Sequence, residues 1–519
     1  MRIIPDSRRG MLWRFALGAL IVVAFTATTT AVAGLLQFKQ IATEIGVSPS
    51  IKNAQVTVAD PGHPQTLLLI GSDHRIGEPF NASHTDTMML VRIDPNSSTI
   101  NVLSIPRDLK VQIPEHGVPV TDKINDAYSI GGPNLLIKVI RQQVFPGLHV
   151  NHIVDVNFSG FSDLVDAIGC VYTDVDHRYY NNTAYTDYSS IDIQPGYQRL
   201  CGDNQSEKGA LAFVRFRHSD SDIVRNARQQ DFLRWAKDQY GASQMLAARD
   251  RLLKIFGAHT QTDHNLHTVD GLINIFNLVV FAAGHQIKQI PFPAIILPCG
   301  GGAPVTTAAG TTFTTAVTPC YVTADASAER SVYGQFMTAT HAAPASAHKD
   351  SGHHVNAPPS AKAADLMPDL SDGQSQAALL RRSKLPVYVP RLLANNSHYC
   401  TNATCTIGPV ANSYPRGYII NDQSGKHYNA YRMTVVINPA LGQYYGVQGM
   451  GWQNPPILNS PTQTKTVNGK QLMEFFNGHK LSLVAWRTPH GVYWISNTLT
   501  DELKPQQMVG IAASFTRVR

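Results

Sequence analysis

Residues 153–168 read IVDVNFSGFSDLVDAI, and the hydrophobic period changes inside them. Ile153 to Phe158 is a short apolar run of strand length. Phe161, Leu164, Val165 and Ile168 then recur at i, i+3, i+4 and i+7, the stripe of an amphipathic helix, behind Ser159 as an N-cap. A strand running straight into a helix is the repeating unit of an α/β fold. Upstream, TLLLI (Thr66 to Ile70) ends in GSD, as a strand buried on both faces does. TMMLVRI (Thr87 to Ile93) and TINVLSI (Thr99 to Ile105) flank the turn residues Asp94-Pro95-Asn96 and predict a hairpin. Downstream, a long helix is expected from near Arg225 through Trp235, another over Met245 to Phe256, and a late strand at Ile287 to Phe292. The expected fold is a three-layer α/β domain around a central mixed sheet.

The chain has 519 residues, more than one ordinary domain, with 43% hydrophobic residues and a formal charge of +6. That charge is mild for the length, and no segment has the character of a nucleic-acid-binding arm. Arg8, Arg9 and Arg14 precede an uncharged stretch from Phe15 to Phe38. It exceeds the ~20 apolar residues that cross a bilayer. A cleaved signal peptide is the alternative, with Ala31 and Ala33 near a cleavage site. The uncleaved single-pass anchor is preferred, because the apolar run is longer than a signal core. The basic residues put the N-terminus in the cytoplasm and the bulk of the chain outside the membrane. Six cysteines fit an exported protein with disulfides, and their spacing suggests Cys400–Cys405, Cys299–Cys320 and, by remainder, Cys170–Cys201.

From Thr338 to Gln376 the composition turns to Ala, Pro, Ser and His, as in a flexible linker, and His348, His353 and His354 are read as linker residues rather than metal ligands. Beyond Pro386 the chain is β-rich: YRMTVVI (Tyr431 to Ile437), LSLVAWR (Leu481 to Arg487) and GVYWISN (Gly491 to Asn497), with a turn at Thr488 to Gly491 and a last helix over Gln506 to Ala513. Trp452, Trp486 and Trp494 are expected to pack in that β-core rather than stack on sugars.

The chemistry concentrates where an α/β sheet normally places it, just past strand ends. Asp73 and Arg75 follow the first strand, Asp86 opens the second, and Arg107 and Asp108 follow the third. Between Ala212 and Gln230 the run AFVRFRHSDSDIVRNARQQ gathers Arg215, Arg217, Arg225 and Arg228 around Asp220 and Asp222, in a chain with only 15% charged residues. Guanidinium forks match phosphate oxygens and stay charged in any pocket. Paired carboxylates suit Mg²⁺. There is no P-loop, so the expected donor is a lipid- or sugar-linked phosphate rather than a nucleotide.

In order, GSDHR, SHTDTMMLVRID, LSIPRD, DKINDAYSIGGP, VDVNFSGFSDLVDAIGCV and RFRHSDSDIVRNARQQ resemble the LytR-CpsA-Psr family over about Thr66 to Pro293. The resemblance implies a membrane-anchored phosphotransferase of bacterial wall assembly. Such proteins move a glycopolymer from a polyprenyl-pyrophosphate carrier to the muramic acid 6-hydroxyl of peptidoglycan. It implies Mg²⁺ (or Mn²⁺) on Asp73 and Asp86, and a catalytic group of Arg107, Arg215, Arg217, Asp222, Arg225 and Gln229. Arg75, Lys123 and His84 would contact substrate. His84-Thr85 stands where the family pattern usually has Arg-Ser. Residues 135–144 and the VDVNFSGFSDLVDAI segment would line an apolar tunnel for the polyprenyl tail, and Arg228 is read as a helix-face charge.

The expected organisation is a cytoplasmic tail (1–14), a transmembrane helix (15–38), a spacer (39–64), the phosphotransferase domain (65–337), a linker (338–384) and a smaller C-terminal α+β domain (385–519). The partners expected are the carrier-linked glycan, peptidoglycan and the cytoplasmic membrane, with no nucleic acid. Arabinogalactan is the suggested polymer. A polyprenyl-pyrophosphate phosphatase is the rival enzyme, and a non-catalytic lipid- or polymer-binding or regulatory protein the rival class.

Overall fold

The computed structural model describes residues 50–518 except 59, 61, 76–77, 116–117, 182–189, 203–208, 218–219, 241–243, 245–247, 269–283, 299–303, 307–311, 315–318, 339–363, 381–383 and 406–412. The expected membrane helix, the expected cytoplasmic tail, Cys299 of the expected Cys299–Cys320 pair and the linker histidines fall outside these residues. Among the described residues no helix is long and apolar enough to cross a membrane.

Six strands make the central sheet: β1 (Gln65–Ser72), β2 (Thr85–Ile93), β3 (Thr99–Ser104), β4 (His152–Asn157), β5 (Thr260–Thr262) and β6 (Gln286–Ile290). Their order is β5-β4-β1-β2-β3-β6. β1 is antiparallel to β2 and parallel to β4, while β3 is antiparallel to β2 and parallel to β6, so the sheet is mixed as expected. The helices are α1 (Ile124–Val139), α2 (Phe158–Ile168), α3 (Ala210–Arg215), α4 (Asp222–Gln239), α5 (Arg249–His259) and α6 (Ala326–Met337).

Period-2 alternation sorts the sheet residues into two layers. Leu68, Ile70, Met88, Leu90, Leu103 and Ile153 point to one face and pack with α1 and α6. Met89, Val91 and Val102 point to the other, where Leu233 of α4 covers them. Fully burying such side chains stabilises by roughly 1.5–3 kcal/mol each, so both faces need cover, and the TLLLI run is apolar throughout for that reason.

The strand-to-helix switch at β4–α2 is tighter than the sequence suggested. Asn157, not Ser159, caps α2, its Oδ1 accepting the Gly160 N–H at 2.8 Å. Gly169, at φ +102°, ends the helix. In α1 the SIGGP motif is a break: Gly131 and Gly132 leave helical geometry before Pro133. Gly132 has φ +63°, and a Cβ there would lie 2.9 Å from the Phe80 ring, so only glycine fits. The two segments expected to line one tunnel belong to different apolar clusters: Leu136 and Ile137 pack on the first face, and Val165 packs with Phe213 and Phe232.

Two expected boundaries move. Part of the spacer belongs to the domain, since Ile51 is buried and donates its N–H to Thr262 O at 2.8 Å, and Thr57 does the same to Val150 O. The C-terminal unit begins inside the expected linker. Leu366 pairs with Ala394, and the helix α7 (Leu370–Leu379) follows. The alternation of apolar positions in 364–380 buries Ala364, Leu366, Ala377 and Leu380 in its core.

That unit is an eight-stranded antiparallel sheet whose main strands are β7 (His427–Asn438), β8 (Gln443–Met450), β9 (Lys470–Asn477), β10 (Lys480–Thr488) and β11 (Gly491–Ser496). One face carries Tyr431, Trp486 and Tyr493 beneath α8 (Pro505–Ala513). The other carries Met450, Ala485 and Trp494 and closes over Tyr172 and Tyr197 of the first domain. Of the three tryptophans expected in the core, Trp486 and Trp494 are buried and Trp452 is half-buried at its edge. The disulfides Cys170–Cys201 and Cys400–Cys405 are formed.

The buried pair Arg432 Nη1 to Asp174 Oδ1, 2.9 Å, ties the sheet to the first domain. Arg432→Leu strands the Asp174 carboxylate away from water. The loss expected is about 3–5 kcal/mol, as when one partner of a buried pair is removed. Thermal denaturation checks it, with an unchanged midpoint as the contrary result.

Candidate functional site

The ends of β1 and β3, the start of β2 and the α3–α4 junction meet at one end of the central sheet. α3 ends at Arg215 and Phe216 turns the chain out of helical geometry. Ser221 then caps α4, accepting the Val224 N–H at 3.4 Å, with Asp222 in the first turn where the helix dipole favours a carboxylate. Arg215 and Arg217 therefore flank a helix break, and both reach back toward the sheet.

Asp86 is the hub. Its Oδ1 accepts from Arg107 Nη1 and, at 3.5 Å, from Arg225 Nη1, while its Oδ2 accepts from Arg215 Nε at 3.2 Å. Burial pushes the Asp86 carboxyl up, but Arg225, Arg215 and Arg107 together outweigh it and hold the group below its ordinary 3.8. Asp222 is the second anchor: Oδ2 takes the Arg107 backbone N–H at 2.7 Å and Oδ1 takes Arg225 Nη2. Asp108 is the third, fully buried, bonded to Arg217 Nη2 and 3.1 Å from Lys123 Nζ. The network sets Arg107, Arg215, Arg217, Arg225 and Lys123 against Asp86, Asp108 and Asp222. Five cations face three carboxylates, so a doubly charged anion completes the balance. Arg215 also lies over the Phe158 ring at 4.0 Å, which fixes its plane.

Asp73 stands beside this network without joining it. Its Oδ1 accepts the His84 N–H at 2.5 Å, and its Oδ2 is 3.9 Å from His84 Nδ1. Both side chains are partly exposed. Arg75 is more exposed still, 78%, and its ion-pair partner among the described residues is Glu78 at 3.9 Å. Gln229 is not at the network: its Nε2 donates to Val214 O at 3.1 Å, tying α4 to α3. Arg228 is not a helix-face charge. It is fully buried, 2.5 Å from Asp220 and donating to the Phe213 and Phe216 carbonyls, under the Tyr179 ring. It is the post that holds the α3–α4 turn.

Asp108 is the site residue that the strand pattern concealed. Neighbouring residues of a strand face opposite ways, which separates Arg107 from Asp108, but β3 ends at Ser104 and both lie in the turn beyond it. Arg107 Nε is 3.6 Å from Asp108 Oδ1.

The profile of the LytR_cpsA_psr family matches residues 32–295, just over half of the chain. The polyisoprenyl-teichoic acid–peptidoglycan teichoic acid transferase TagU of Oceanobacillus iheyensis is 32% identical over 43% of this chain and 69% of its own length. TagU of Halalkalibacterium halodurans is 32% identical over 45% of this chain and 74% of its own. TagT of Bacillus subtilis is 29% identical over 46% and 79%. The crystal structure of B. subtilis TagV aligns with a TM-score of 0.39 at 22% identity, over 53% of this chain and 97% of that one.

Two outcomes follow for stability. Arg228→Met leaves Asp220 buried beside apolar rings, and a loss of about 3–5 kcal/mol is expected, read as a lowered unfolding midpoint. The folded Asp86 carboxyl titrates below its ordinary 3.8. Its contribution is therefore fully present above that value and is lost as pH falls through the folded one. The acid limb of a stability–pH profile below 3.8 is expected to flatten in Asp86→Asn; an unaltered limb contradicts the role given to Asp86.

Proposed function

Given that the chain belongs to the LytR-CpsA-Psr family, we propose that it transfers a wall glycopolymer from a polyprenyl-pyrophosphate carrier to the muramic acid 6-hydroxyl of peptidoglycan. The observation that carries this reading is the excess of guanidinium groups gathered on Asp86, Asp108 and Asp222 at the sheet end. Phosphoryl transfer is mostly positioning and electrostatics. Arginines fixed by carboxylates before the substrate arrives need no reorganisation when charge develops.

In the transfer, the acceptor oxygen bonds to the glycan-bearing phosphorus, the bond to the bridging oxygen breaks, and polyprenyl phosphate leaves as the hydroxyl proton is released. Arg215, Arg217 and Arg225 are the grip on the pyrophosphate, with Arg107 and Lys123 at its edge. Asp86 is a poor general base, because its three arginines hold it ionised and weakly basic. Asp222 has both oxygens occupied by donors, which suits a positioning role.

A divalent cation fits the donor chemistry: Asp73 and Asp86 are oxygen ligands at neighbouring strand ends, and the Asp73 side chain is exposed. Mg²⁺ on these two would neutralise phosphate charge. Arg75, two residues after Asp73, and His84, whose N–H Asp73 accepts, are exposed and suited to the distal part of the substrate. The chain is taken to act at the outer face of the cytoplasmic membrane through residues 15–38. Arabinogalactan is one polymer this activity would attach.

Incubating the full chain with a polyprenyl-pyrophosphate glycan, Mg²⁺ and nascent peptidoglycan is expected to give phosphodiester-linked glycan on the peptidoglycan. Release of polyprenyl phosphate with no linked glycan overturns transfer in favour of hydrolysis. Asp86→Asn and Arg215→Ala are each expected to lower the rate by roughly 10²–10³. Gln229→Ala is expected to lower the melting midpoint and leave the rate near wild type.

A further inference from the structure

We propose that the groove between α4 and the C-terminal sheet is a binding site for an uncharged oligosaccharide. This deepens the reading above, taking the groove as the path of its sugar chain. A cavity of about 350 Å³ separates the second half of α4 from the ends of β9, β10 and β11. That lies within the ~300–1,000 Å³ typical of small-molecule sites. A smaller one of about 90 Å³ adjoins it, sharing Leu499 and Asp501. The smaller cavity reaches Pro106 and Ile223, the neighbours of Arg107 and Asp222. From Ile223 to Trp235 the helix advances about 18 Å, so the groove leads from the arginine network along α4 and is long enough for several linked sugars.

Its lining has the chemistry that saccharides need. Trp235, Phe475 and Phe476 supply apolar surface. Ser496 is only 9% exposed, lines the cavity, and its Oγ has no partner among the described residues. Arg234 Nε on the opposite wall is likewise buried without one. Asn459, Ser482 and Thr498 add polar side chains to the same lining, and sugar hydroxyls, which both donate and accept, suit such a mixed surface. Burial pushes the Asp501 carboxyl up to about 7, helped by Asp231, so it can donate as well as accept near neutral pH.

Charge selects the class of sugar. Asp174, Asp176, Asp231, Asp238 and Asp501 line the larger cavity against Arg234 and Lys237. Arg432 and Arg234 pair Asp174 and Asp231, and Asp501 is partly protonated near neutral pH, so the lining has no cationic excess to hold a phosphate-bearing repeat and accepts a neutral sugar. The phosphate site is cationic and the groove is not, which sets the pyrophosphate end of a substrate apart from its sugars.

The full chain in detergent is titrated by calorimetry with an N-acetylglucosamine tetrasaccharide, a neutral hexose tetrasaccharide and a glycerol-phosphate oligomer. Saturable binding of either neutral sugar supports the site. The first alone marks an acceptor strand, the second alone the transferred glycan. Gly284→Trp fills the mouth from a position where an added Cβ meets nothing within 4 Å. Asp238→Ala trims its exposed rim. Each is expected to weaken the sugar about fivefold or more and leave farnesyl pyrophosphate binding at the arginines unchanged, which also reports that the variants fold. Absence of neutral-sugar binding, tighter binding of the phosphate oligomer, or variants with unchanged affinity overturns the proposal. Because the readout is binding, failure of glycan transfer would leave it standing.

Discussion

Like charges cannot be packed together without a counter-ion, and the architecture around Asp86 is the answer to that constraint. Arg107, Arg215 and Arg225 come from two distant stretches of chain, and the one carboxylate collects all three. Asp222 and Asp108 extend the same solution to Arg225 and Arg217. Everything that positions the cluster follows from holding these groups still. The α3–α4 turn is pinned by Arg228 and Asp220, α4 is pinned to α3 by Gln229 and to β3 by Gln230, and Asp222 bridges the helix start to the turn after β3.

The second domain extends the same framework. Its sheet is apolar on both faces, one closed by its own helices and the other by Tyr172 and Tyr197. The turn at Gly442 lies against Val224, so the sheet braces the start of α4. Gln289 of β6 joins Asp231 of α4 and Asn477 of β9 in one chain of hydrogen bonds. A helix held at its first turn by the site and along its length by another domain is a rigid support for a charged cluster.

Much of this was legible in the sequence, for physical reasons that can be named. Apolar period identifies TLLLI, the hairpin after it and the strand-to-helix switch at Asn157, because burial on one or two faces dictates the pattern. Arginine density identifies the cluster, because charge in a poorly charged chain needs a use. What stayed hidden is pairing across the chain. Asp86 stands at a strand start beside Asp73, and nothing local says that three arginines from elsewhere in the chain reach it. Gln229 and Gln230 are adjacent, and only helix phase sends one to α3 and the other to β3. YRMTVVI is apolar on both faces, but nothing local says that Asp174, more than two hundred residues earlier, receives Arg432.

The central claim is that the carboxylate-held arginines form a preorganised pyrophosphate site. Titrating the full chain with farnesyl pyrophosphate at low and high salt tests it most directly. Saturable binding is expected at low salt, weakened at high salt and abolished in an Arg215→Ala, Arg217→Ala double variant that remains folded. Equal affinity in wild type and the double variant would contradict it.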